Sequence, residues 1–159
     1  MSARPHVDWT RLAEWGTIRF GNADMEIGAS SFFRSAVAVL DGAGCDPMPG
    51  TTFLAMCEPP IIGMFLVLVY DRATRTEEWR WVITGELPKG FLPAEAAFNQ
   101  YQALSSYIVD VRRVLDGMQA TSLICLEWHG PSCDAERATL ERKMAVLESH
   151  LIAPARHLL

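Results

Sequence analysis

The chain has 159 residues, half of them hydrophobic and 21% charged, with a net charge of −5. That length and composition exclude a disordered chain and fit one domain with a core of its own. The acidic balance, without a basic stripe, argues against binding a phosphate backbone.

Asp8 is placed to cap a short helix in which Trp9 and Leu12 share a face, ending at Gly16. Ile18 to Phe20 reads as a short strand. A second helix is expected to open at Ser30 or Ser31, with Phe33, Ala36, Val37 and Leu40 on its apolar face and Gly42 at its end. Residues 42–50 hold three glycines and two prolines and read as a loop. Residues 51–57 read as extended up to Pro59 and Pro60.

Residues 61–70 are apolar throughout. Ten residues are too few to cross a bilayer, so the run predicts a buried strand. In residues 78–84, Trp79, Trp81 and Ile83 alternate with Arg80, Val82 and Thr84, the two-residue period of a strand with one buried face. The polar stretch 71–76 between these strands predicts an antiparallel hairpin. A third strand is expected over residues 122–128.

Two helices are predicted over residues 94–117 and 133–150. In the first, Ala97, Tyr101, Leu104, Ile108, Val111, Leu115 and Met118 step by three and four to form one apolar seam. Asn99, Gln102, Ser106, Asp110 and Arg113 fall on the opposite side and are expected to face water. In the second, Leu140, Met144, Leu147 and Leu151 form the stripe, with Ser132 as cap and Asp134 and Glu136 in the first turn. Together these elements predict a single α+β domain over residues 1–159: a mainly antiparallel sheet covered by two long C-terminal helices, with short N-terminal helices. With the seam packed on the sheet, a monomer or weak dimer is expected.

No Gly-x-Ser-x-Gly elbow, Gly-x-x-x-x-Gly-Lys loop or His-Glu-x-x-His pair occurs. The densest reactive cluster is Cys125, Glu127 and His129, with Cys133 just beyond a Gly-Pro turn. Their side chains are zinc ligands and a Cys–His pair is a nucleophile, so a small enzyme or zinc protein is one reading. The other is ordinary sheet packing, with Cys57 and Cys125 as small core residues. The spacing matches no common ligand pattern, and the main reading assigns no metal, cofactor or catalytic residue.

The charge is concentrated. Between residues 20 and 71 stand Asp24, Glu26, Asp41, Asp46, Glu58 and Asp71, opposed by Arg34 alone. This segment reads either as a solvated face or as a surface that meets a basic protein. In the second case Asp24, Glu26, Asp41 and Asp46 steer the encounter, and Phe32 and Met48 anchor it. The N-terminus lacks the apolar stretch of a secretory signal, which predicts a cytoplasmic protein.

Trp81, Val82, Ile83, Gly85, Glu86, Leu87 and Pro88 resemble a Trp…Val-Ile-x-Gly-Asp-Leu-Pro pattern found in a family of small uncharacterised bacterial proteins, with Glu86 in place of the Asp. The similarity spans residues 59–151. It implies a fold and a bacterial source but no activity. By analogy with other small acidic bacterial α+β proteins, the expected function is non-enzymatic: an immunity or antitoxin protein that occludes a basic toxin domain.

Overall fold

Six strands form one antiparallel sheet in the computed structural model, which describes residues 2–121 and 123–159. Strands β1 (Ala13–Glu14), β2 (Cys45–Glu58), β3 (Ile62–Asp71), β4 (Thr76–Gly85), β5 (Gly90–Pro93) and β6 (Cys125–Leu126) lie side by side in chain order. Helix α1 (Ala23–Gly42) precedes β2, α2 (Gln100–Leu115) follows β5, and α3 (Asp134–Leu147) follows β6. The class is α+β. No helix among the described residues is long and apolar enough to cross a membrane.

Directly opposed residues of antiparallel strands share a face, so the register sorts the core. Leu66 opposes Trp81, Leu68 opposes Trp79 and Met64 opposes Ile83. These six side chains form one core with Leu104, Tyr107, Ile108 and Val111 of α2 and Leu140, Met144 and Leu147 of α3. Phe65 opposes Val82. With Val67, Val69 and Cys45 they form a second core under Phe32, Ala36, Val39 and Leu40 of α1. The strand expected to bury one face therefore buries two, since α1 lies across the side that its polar residues were expected to leave open.

Two glycines fix the close approaches. A Cβ at Gly63 would run into the Phe32 ring, and Gly85, at φ +123°, sits against the Ile61 carbonyl where a side chain has no room. Gly85 thus has a backbone reason to occupy its place in the Trp81–Pro88 pattern.

Several elements depart from the sequence reading. α1 starts at Ala23 rather than near Ser30, because the Asn22 side chain accepts the Met25 N–H at 2.8 Å and caps it there. Asp8 does accept from the Thr10 N–H, but the helix after it is a single 3-10 turn over Trp9–Arg11. The Ile18 to Phe20 strand is absent, and Ala13–Glu14 pairs with β2 instead. Most of the loop expected at 42–50 is strand: Cys45 pairs with Asp71, and a register shift between Pro47 and Thr52 absorbs the prolines.

The two long C-terminal helices are met only in part. Ala97 is extended, so a 3-10 turn at Ala94–Ala96 precedes α2, which begins only where Asn99 caps it. α3 ends at Leu147 and passes into a π turn and then a 3-10 segment around Pro154. The strand expected over 122–128 is two residues long, and Ser122 lies outside the described residues. Asn99 and Asp110 are buried rather than water-facing. The Asn99 side-chain amide donates to Leu158 O at 2.9 Å, and Asp110 accepts from the Thr121 N–H and hydroxyl. In both places a later segment folds back over the helix.

Trp81 is fully buried and its indole N–H donates to Ala97 O at 3.2 Å. Trp81→Ala is expected to cost about 3–5 kcal/mol in chemical denaturation; a change within ~0.5 kcal/mol would remove it from the core. Tyr107 is also fully buried, its hydroxyl donates to Pro88 O at 2.6 Å, and burial pushes its ionisation far above the ordinary range. Its stabilising contribution is complete below the unfolded tyrosine pKa of about 10 and is lost as pH rises beyond it. Tyr107→Phe is therefore expected to flatten the alkaline fall in stability, and an unchanged alkaline limb would contradict this placement.

Candidate functional site

The acidic segment divides into free and engaged carboxylates. Asp24 and Glu26 stand exposed in the first turn of α1, where the helix dipole favours acids. Among the described residues neither makes a side-chain hydrogen bond or ion pair. Ile27 beside them is 66% exposed. Asp41 and Asp46 differ: Arg72 bridges both, reaching Asp41 at 3.4 Å and Asp46 in a closer contact. Their charge is half neutralised by an arginine one residue beyond the segment counted as acidic.

The expected anchors also separate. Phe32 is buried against Gly63 in the second core and is not a surface anchor. Met48 is half-buried and packs on the edge of the first core. The apolar side chain next to the free acids is Ile27, which carried no period signal because it lies on the outer side of α1.

The Cys125, Glu127, His129 and Cys133 cluster does not assemble. Among the described residues no group of three or more Cys, His, Asp or Glu side chains is placed to hold a metal ion. All four residues are exposed, so Cys125 is not the core thiol expected from its apolar run. β6 ends at Leu126, and the alternation that was to align the three side chains ends with it. Glu127 turns toward the other layer, its Oε1 standing 3.3 Å from where a Cβ on Gly42, at the end of α1, would sit.

The buried polar centre lies elsewhere, and sequence reasoning missed it. Arg80 contacts the Cys45 sulfur at 2.9 Å, Glu78 at 3.0 Å and Asp71 at 3.4 Å, with its guanidinium 4.8 Å above the Phe91 ring. Burial pushes the Cys45 thiol up, against the opposing pull of Arg80. The Thr74 and Ala73 N–H groups hold the Asp71 carboxyl below its usual range. A protonated, enclosed thiol is a poor nucleophile, so this cluster ties β2, β3 and β4 together. Cys45 and Arg80 are 35 residues apart in sequence, and no local pattern joins them.

Two clefts flank the Glu86 turn. One, of about 440 Å³, is lined by Leu87, Trp128, Glu136, Leu140 and Lys143, with Lys143 ion-paired to Glu86 at 3.0 Å. The other, of about 320 Å³, lies between Ser31, Phe32, Pro59, Pro60 and Lys89. Glu136 is occupied by Ser132, which donates to it through both N–H and hydroxyl and holds its carboxyl below the usual range, while Cys133 rather than the expected Ser132 takes the cap position of α3, without a side-chain bond. Ser35 and Glu86 also line the second cleft, but among the described residues no side-chain hydrogen bond joins its serines to Glu86 or Lys89, and Glu86 is engaged by Lys143.

In comparisons with known proteins, no family model, no curated protein and no solved structure matches this chain.

The thiols give a direct check on this arrangement. A water-soluble thiol reagent is expected to modify Cys125 and Cys133 rapidly in the native protein and Cys45 only on unfolding. Cys125→Ser/Cys133→Ser is expected to abolish the fast phase and leave a slower reaction at the half-buried Cys57; a fast phase that survives these and Cys57→Ser would mean that Cys45 is open.

Proposed function

We propose that this chain is a non-enzymatic protein-binding module of the immunity or antitoxin type, neutralising a basic bacterial protein by covering its working surface. The observation that carries the reading is the first half of α1, where an exposed Ile27 stands beside Asp24 and Glu26, neither with a side-chain partner among the described residues. An apolar side chain ringed by unspent carboxylates suits a basic surface: the acids speed encounter and the buried contact slows release. Covering one isoleucine supplies roughly 1.5–3 kcal/mol, so the contact must extend further to reach a stable complex. The outward stripe of Ser31, Arg34, Ala38 and Asp41 continues the surface along the helix. The resemblance of the Trp81–Pro88 pattern to small bacterial proteins supports a bacterial setting for this role.

The test is capture of the partner from the source cells, followed by binding kinetics with the purified pair. A stoichiometric basic protein is expected, with Asp24→Lys/Glu26→Lys slowing association about tenfold at low salt and Ile27→Asp speeding dissociation. The absence of any protein partner, or a partner indifferent to all three substitutions, would refute the reading.

A further inference from the structure

β6 is the last strand of the sheet, and among the described residues no element pairs with its outer edge. The Glu127 N–H donates to Lys89 O at 2.8 Å, so Cys125 and Glu127 turn their peptide groups toward β5. Leu126, between them, turns its N–H and C=O outward. At the opposite edge β1, itself two residues long and with no strand beyond it among the described residues, covers only part of β2. There β1 pairs with Phe53 and Leu54, the Trp15 N–H donates to Thr52 O at 2.8 Å, and Pro47 and Pro49 remove donors further along β2.

β6, Cys125–Leu126, has no proline. Around it stand Leu123, Ile124 and Trp128, with Leu123 58% exposed. The two faces of the edge differ in chemistry. On the α2 side a cleft of about 400 Å³ opens beside the strand, lined by Val114, Met118, Ile124, Leu126 and Trp128. On the α1 side Glu127 is exposed next to the C-terminal end of α1, whose dipole adds to the negative potential.

We propose that this edge receives an extended segment of the protein partner as an added strand, with an apolar residue in the Val114/Met118/Trp128 cleft and a lysine or arginine facing Glu127. The inference rests on the protein-binding reading and names how such a partner is held. Main-chain bonds to Leu126 supply the attachment, and the alternation of apolar and basic residues supplies the selectivity. A second copy of this chain fits less well. Antiparallel pairing of two β6 strands about Leu126 would set both Glu127 carboxylates on one face, each already beside a negative helix end.

The probe is an acetylated, amidated Lys-Val-Lys-Val-Lys-Val peptide, with a version N-methylated at alternate residues as control. Binding is read by amide hydrogen exchange at Leu126 and by Trp128 fluorescence. The plain peptide is expected to slow Leu126 exchange at least about tenfold at saturation. N-methylation is expected to abolish binding, and Glu127→Lys to weaken it by roughly tenfold. Equal binding of the N-methylated peptide, no effect at millimolar peptide, or a dimer already protecting Leu126 would each overturn the proposal. If partner capture still depends on Asp24 and Glu26 in that event, strand addition alone fails and the protein-binding reading stands.

Discussion

β4 is hydrogen-bonded on both edges, to β3 and β5, and covered on both faces, so its central residues must be accommodated entirely by other parts of the chain. Trp79, Trp81 and Ile83 require an apolar layer on one side, which α2 and α3 provide. Val82 and Thr84 require one on the other, and α1 provides it, down to the Thr84 hydroxyl donating to Phe32 O at 3.3 Å. Arg80 is enclosed with them, and its charge persists there because Glu78 and Asp71 share its guanidinium. The rest of the architecture follows: three layers, a helix pressed against Gly63, and a turn at Gly85 too tight for a side chain.

That constraint also decides what remains outside. With both faces of the central strands covered, binding surface is left on the outer side of α1, in the clefts beside the Glu86 turn, and along the two sheet edges. Both edges end in two-residue strands: β1 lies beside a β2 that carries prolines, and β6 has apolar neighbours. The free acids stand on α1, while the acids at its far end are engaged by Arg72. The chain thus has one helix that is structural on its inner side and available on its outer side.

The strands of the central hairpin were legible because a long apolar run and a tryptophan alternation are strong signals. Their second buried face was not. Arg80 and Thr84 read as outward residues because they are polar, yet each is enclosed with its hydrogen bonds satisfied by distant partners. The face of α1 was misjudged by a fraction of a turn. Spacing favoured Phe33 and Val37, whereas the helix buries Phe32 and Val39, with Phe32 seated in the space that Gly63 leaves on β3. Of the site residues, Asp24 and Glu26 stand as free surface charges, but the ion pairs of Asp41 and Asp46 depend on a hairpin arginine whose reach no local pattern reveals. Cys125, Glu127 and His129 alternate as if on one strand face, and the strand is too short to hold them there.

Residue-resolved hydrogen exchange of the native protein tests the central claim most directly. If β4 is the doubly covered strand on which the layers depend, the amides of residues 62–69 and 79–84 exchange only through global unfolding, with the highest protection in the chain. The outer helices and the β6 edge should open at lower free energy. Amides of β4 that exchange through local opening, while α2 or α3 remains protected, would contradict the account.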